Sequence, residues 1–229
     1  MRDRFLKING RIESICESTG RDRGSIRLIA VSKTHPASAI REAYATGQRE
    51  FGENYADELE AKALELGDLR DIKLIFIGPL QSNKIQKIIR HASEIQTIAS
   101  EKHARYADRY AAEFNKSGFP VWIEVNAGDE STKHGTSLTD AASLAAFIQT
   151  SCPRLTLQGL MCIPPATIQD SWLSEHPGML PDLYKNLKQA SLTIGAGKLS
   201  LGMSGDMELA IRAGSDVIRV GRALFSSSK

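Results

Sequence analysis

Cysteine is scarce in this chain. Three of 229 residues, Cys16, Cys152 and Cys162, lie far apart and form no CxxC pair. A disulfide framework or a zinc site needs close pairs, so neither is expected, and three reduced thiols suit a cytoplasmic protein. Neither sign of charge is in excess: 29 Lys and Arg stand against 27 Asp and Glu, for a formal net charge of +2. Nucleic acid or an anionic membrane as main partner would call for a basic patch. The nearest run, Lys84–Arg90, is broken by Ile85, Ile88 and Ile89 at helical spacing and reads as an amphipathic helix. No apolar run approaches the roughly 18 residues of a membrane span. The N-terminus, Met1-Arg2-Asp3-Arg4-Phe5-Leu6-Lys7, puts charges where a secretory signal needs apolar residues. The histidines His35, His91, His103 and His176 show no ligand spacing with His134, so no metal site is expected.

What is present is a core. At 41% hydrophobic over this length, the chain can bury one, which excludes disorder as its main state. Dividing the length by about 150 residues per domain leaves one large domain or two small ones. Periodicity decides for one, spanning residues 1–229. Residues 1–19 read as a helix with Phe5, Ile8, Ile12 and Ile15 on one face. Strand candidates follow at Arg27–Ser32, Arg49–Gly52, Lys73–Gly78, Glu94–Ile98, Val121–Asn126, Thr156–Met161, Lys198–Met203 and Asp216–Val220. Helical stretches separate them: Pro36–Ala45, Ala56–Leu66, Ser82–His91, Glu101–Asn115, Leu138–Gln149, Leu180–Leu192 and a short one at Met207–Ala213. Runs such as Leu28-Ile29-Ala30-Val31 are nearly continuous in apolar residues, as strands covered on both faces are. The alternation predicts an α/β protein, a single TIM-type (β/α)8 barrel with an additional N-terminal helix. Only Arg222–Lys229 follow the last strand, too few for a closing helix, so the N-terminal helix is expected to cover that gap. An open doubly wound sheet has the same alternation and stands as the alternative.

In such a barrel, function sits in the loops after the strands. Lys33 directly follows the first strand, where its amine would point across the mouth. In a low-dielectric site such an amine can attack carbonyls and form a Schiff base; a solvated lysine suits the same position. After the seventh strand comes Met203-Ser204-Gly205-Asp206, with Asp206 placed as N-cap of the next helix and Glu208 in its first turn. Gly221 ends the eighth strand. Loops at this place in barrels often hold phosphate on backbone N–H groups. An amine after the first strand and a phosphate cradle after the last two together suggest pyridoxal phosphate.

At these residues the chain resembles the pyridoxal phosphate homeostasis protein family, also called the proline synthetase co-transcribed homologues. The likeness runs through Leu28–Thr34, Phe51–Tyr55, Phe76–Lys84, Gly159–Pro164, Leu201–Glu208, Ala213–Ser215 and Val217–Gly221, in order. The resemblance implies a barrel related to the alanine racemase N-terminal domain, with pyridoxal 5'-phosphate held as a Schiff base on Lys33. It implies Ser204, with backbone around Gly205 and Gly221, on the phosphate; Arg219 facing the pyridine nitrogen; Asn54 by the ring; and Ile77 with Met203 as pocket walls. It further implies a carrier and homeostasis factor for the cofactor and for amino and keto acids, with apo-enzymes that receive the cofactor as partners and no catalytic residue.

Two physical expectations follow. Arginine is always charged and has no acceptor, so Arg219 can only donate to an unprotonated ring nitrogen, which weakens the ring as an electron sink. The racemases and decarboxylases that the family resembles carry a further β-domain with catalytic groups at a dimer interface. A chain ending at Lys229 is expected to lack that second acid/base and to be a monomer. A minimal racemase or lyase with the same cofactor is the alternative, and a barrel for another phosphorylated metabolite is a third reading. The chain departs from the family at Ile75 (usually His), Ala99 (Asp), Asp216 (Thr) and Ser226 (Gly). A carboxylate at Asp216 would oppose phosphate unless it turns outward. In Asp129–Gly135, Lys133 is a candidate second amine and His134 a candidate acid. Trp172–Pro181 reads as a mobile loop that could act as a lid.

Overall fold

The computed structural model describes residues 1–126 and 134–225. Parallel strands β1 (Arg27–Val31), β2 (Glu50–Glu53), β3 (Lys73–Phe76), β4 (Glu94–Ile98), β5 (Phe119–Val125), β6 (Leu155–Cys162), β7 (Lys198–Ser200) and β8 (Val217–Val220) form a closed barrel in chain order. Closure excludes the open sheet. At the seam β1 pairs with β8, Ala30 opposite Val220. The helices are α1 (Arg2–Thr19), α2 (Ala37–Tyr44), α3 (Ala56–Glu65), α4 (Ile85–His91), α5 (Glu101–Glu113), α6 (Asp140–Ser151), α7 (Trp172–Glu175), α8 (Asp182–Thr193), α9 (Met207–Arg212) and α10 (Arg222–Phe225).

Side chains alternate across each strand, and this splits the core in two. Outward residues such as Leu28, Ala30, Phe51 and Phe76 pack under the helices in the main core. Inward residues Ile29, Ile75, Ile77, Trp122, Met161 and Val217 fill the barrel's own interior. Ile75, one of the departures from the family pattern, is thus a packed interior residue.

α1 buries Phe5, Ile8, Ile12, Ile15 and Cys16 and packs on α9 and α10. Phe5 meets the Phe225 ring edge-on at 6.4 Å. One expectation needs correcting here. A helix does follow the eighth strand, because the Gly221 carbonyl accepts the N–H groups of Leu224 and Phe225 and closes a single turn. The stretch after β6 is also more built than expected. It holds α7, and the Trp172 ring stacks on His176 at 4.0 Å.

β7 ends three residues early. The Leu201 N–H turns to the Ser215 hydroxyl and the Val217 carbonyl, and Gly202 then leaves the sheet at φ 105°. A Cβ at Gly202 would come within 2.5 Å of the Ala210 Cβ, so only glycine fits there. Among the described residues, no helix is long and apolar enough to cross a membrane.

Candidate functional site

The barrel mouth gathers the strand ends. Lys33 continues the inward alternation of Ile29 and Val31 past the end of β1 and lies exposed. Among the described residues its amine has no hydrogen-bond or ion-pair partner. The residues on either side are held. The Ser32 hydroxyl donates to Glu53 and its carbonyl accepts from Lys62, while the Thr34 N–H donates to Glu58.

Arg219 reaches inward from β8, across the seam from β1, and is 4% exposed. Its guanidinium donates to the Ser200 Oγ at 2.5 Å and to the Cys162 carbonyl at 2.8 Å. Ser200 in turn donates to Gln96, Gln96 donates to Glu94, and Glu94 accepts from Arg27, which also binds Glu50. A polar chain therefore runs up the barrel interior and ends on Arg219. Glu124 also faces inward from β5, 8% exposed, with no side-chain hydrogen-bond partner among the described residues. Burial pushes its carboxyl up to about 7, against the pull of the Arg219 charge.

The turn after β7 is braced from outside. The Asp206 carboxylate accepts the Met203 N–H and the Tyr184 hydroxyl, both at 2.7 Å. Asp206 occupies the N-cap position of α9 as expected, but its side chain makes no capping bond, since its oxygens are committed backwards. Asp170 caps instead, accepting from Leu209 and Glu208 N–H groups at 2.9 and 3.2 Å. Arg11 of α1 binds Asp170 at 2.6 Å and donates to the Ser204 carbonyl. With the Glu208 and Leu209 amides of α9 taken, the backbone around Ser204 and Gly205 and at Gly221 is the place for an anion at this end. Gly221 packs close enough to Val31 that an added Cβ would sit 3.3 Å from the Val31 Cβ.

Asn54 is half-buried after β2, its backbone pressed on Gly78, where a Cβ would lie 2.0 Å from the Asn54 carbonyl oxygen. Ile77 is an interior wall and Met203 lies exposed at the rim. Asp216 sits at the start of β8, away from the mouth, where it binds Arg21 and accepts the Leu199 N–H. It does not face the Ser204–Gly205 turn. Ala99 is half-buried just past β4, and His134 is exposed. Lys133 and Ser226 lie outside the described residues. Among the described residues no cluster of His, Cys, Asp and Glu could hold a metal.

The residues that sequence reasoning missed are the supporting ones: Glu53, Lys62, Gln96, Ser200, Glu124, Asp170 and Arg11. A signal existed for some of them, because Glu94, Gln96 and Glu124 interrupt strands at inward positions. As a donor set, the mouth offers a free amine, a buried guanidinium and a serine-glycine turn beside a second glycine. That set fits an aldehyde, an aromatic ring nitrogen and a phosphate carried by one molecule.

Residues 11–229 match the alanine racemase N-terminal domain family. The chain is 37% identical over 230 residues to the pyridoxal phosphate homeostasis protein of Pseudomonas aeruginosa, covering 98% of this chain and 94% of that one. It is 39% identical over 226 residues to the protein of that name from Escherichia coli, covering 97% and 94%. Among solved structures, PipY of Synechococcus elongatus with PLP bound superposes with a TM-score of 0.75 at 33% identity, covering 94% of this chain and 99% of that one. The alanine racemase of Clostridium difficile, at 13% identity and a TM-score of 0.68, shares the fold. With the barrel closed and its mouth so furnished, these matches show that the chain belongs to the pyridoxal phosphate homeostasis protein family, within the alanine racemase N-terminal domain family.

Proposed function

We propose that residues 1–229 act as one pyridoxal 5'-phosphate-binding domain that takes part in intracellular homeostasis of the cofactor and of amino and keto acids. The observation that carries this reading is the unpartnered Lys33 amine beside the seam strand that supplies buried Arg219. Lys33 supplies the amine for a Schiff base with the aldehyde. Arg219, oriented by Ser200 and the Cys162 carbonyl, donates to the ring nitrogen. Ser204, Gly205 and Gly221 receive the phosphate, Asn54 lies by the ring, and Ile77 and Met203 wall it. Bound cofactor supplies electron withdrawal through its ring, and a donor-only Arg219 keeps that weak. Weak withdrawal supports a carrier without robust turnover. The proposal places that carrier in the cytoplasm as a monomer, with apo-enzymes as recipients.

The test is a near-visible spectrum of protein mixed with pyridoxal phosphate, then borohydride reduction and peptide mapping. The label is expected on Lys33. A label on another lysine, or a protein that stays colourless, overturns the assignment. One observation favours the rival reading of a minimal racemase or lyase: the Glu124 carboxyl, near 7, is poised for proton transfer. That reading requires amino-acid racemisation clearly above the rate of free cofactor, lost in Glu124→Gln.

A further inference from the structure

Lys33 stands between two residues whose backbone is held by one buried ionic group. Glu53, at the end of β2, is 0% exposed, and Lys62 of α3 is 6% exposed. The Lys62 ammonium lies 2.8 Å from both Glu53 oxygens, 3.0 Å from the Ser32 carbonyl oxygen and 3.1 Å from Glu58 Oε2. Its three protons are thus all engaged. On the near side of Lys33, every polar group of Ser32 is taken. The N–H donates to Gly52, the hydroxyl donates to Glu53 at 2.5 Å, and the carbonyl accepts from Lys62 and from the His35 N–H. On the far side, the Thr34 N–H donates to Glu58 at 2.9 Å. Thr34 sits at φ 64°, a left-handed conformation that a β-branched residue adopts only when its surroundings impose it.

A buried ion pair is a poor way to gain stability, because apolar residues of the same volume serve as well or better. This one differs from a plain core pair in where its hydrogen bonds go. They reach the backbone on both sides of Lys33 and leave the Lys33 side chain itself untouched.

We propose that Glu53, Lys62 and Glu58 are positioning residues, a clamp that fixes the chain at Ser32 and Thr34 and so aims the Lys33 amine across the barrel mouth. The inference rests on Lys33 being the attachment point, as proposed above. The clamp's side-chain hydrogen bonds end on Ser32 and Thr34 and reach none of the side chains assigned to ring or phosphate. Its loss therefore weakens capture of an aldehyde and spares binding of the same molecule without one.

Pyridoxine 5'-phosphate, which has the ring and phosphate but no aldehyde, separates these effects. Two variants serve. Glu58→Ala removes a half-exposed acceptor and frees the Thr34 N–H. The double variant Glu53→Met with Lys62→Met removes the buried pair without stranding either charge. In both, affinity for pyridoxal 5'-phosphate is expected to fall about tenfold or more, while affinity for pyridoxine 5'-phosphate stays within about twofold. Hydrogen exchange at the Thr34 amide, followed on the protein without cofactor, is expected to quicken about tenfold or more. Unchanged exchange and unchanged pyridoxal phosphate affinity would overturn the clamp. So would a parallel loss for both ligands, which is the mark of general damage. Should the double variant fail to fold, Glu58→Ala decides. Should wild-type protein carry the label on another lysine, the functional reading falls separately, and exchange at Thr34 still decides whether the clamp holds the backbone.

Discussion

Glu124 carries the clearest pH signature of any single residue at the mouth. Its carboxyl is raised from 4.5 to about 7, by burial first and against the opposing pull of Arg219. Between those two values the folded chain holds a proton that the unfolded chain has released. Stability from this group is therefore highest at the acid end of the window and falls as pH rises to about 7, a loss on the order of 3 kcal/mol. Glu124→Gln keeps the shape and cannot ionise. Denaturant unfolding of both proteins at pH 5 and pH 8 is expected to show the variant gaining about 2 kcal/mol over wild type across that interval. Parallel curves would mean that the carboxyl finds water or a partner and stays ionised. Nothing in its neighbours Ile123 and Val125 announces this behaviour, beyond the oddity of an acid in an apolar strand.

At the scale of elements, the start of α9 shows how a distant residue overrides a local rule. Asp206 stands where an N-cap belongs, yet it serves Met203 and Tyr184. The cap comes from Asp170, 39 positions before Leu209 in the chain. Asp170→Ala leaves the Glu208 and Leu209 N–H groups without that acceptor and cuts Arg11 loose from it. A cap of this kind contributes about 1 kcal/mol. The expected fall in melting temperature is about 2–4 °C for a chain of this size. Calorimetry checks it, and an unchanged melting temperature would show that water caps α9 equally well. The same physics governs which boundaries the sequence displays. β4 is legible at both ends, Glu94–Ile98, because its β-branched residues Ile95, Thr97 and Ile98 coincide with the paired stretch. β7 is not, because its end depends on a hydrogen bond from Leu201 to Ser215, 14 positions away. α10 escaped for the opposite reason: a helix of one turn is too short for any period to show.

For the whole molecule, the barrel axis orders stability and function from one end to the other. The parallel α/β architecture was readable from alternation and from continuous runs such as Leu28–Val31, which strands covered on both faces tolerate. Closure was not, because an open sheet shares both signals, and it shows only in the pairing of β1 with β8. Arg219 came only from the family resemblance, whereas Lys33, Ser204 and Gly221 were readable as site candidates because each lies within a few residues of a strand end. The polar chain through the interior was not, because Arg27, Gln96 and Ser200 come from strands far apart in sequence and meet only once the barrel closes. That chain makes a graded prediction. At the lower end, Arg27→Met takes the cation from buried Glu94, leaves Glu50 to Lys73 alone, and is expected to cost about 2–3 kcal/mol at neutral pH. Pyridoxal phosphate affinity is expected to stay at the wild-type level, since Glu94, Gln96 and Ser200 all stand between Arg27 and Arg219. Ser200→Ala acts higher up. It removes the acceptor that orients Arg219 and the donor to Gln96, with a stability cost of roughly 1–3 kcal/mol. It should also weaken the cofactor and shift its near-visible absorbance, because the guanidinium proposed to face the ring is no longer held by Ser200. Urea unfolding and spectral titration of the two variants side by side separate the ends of the barrel. If Arg27→Met weakens the cofactor as much as Ser200→Ala does, the interior works as one coupled unit and the division along the axis fails.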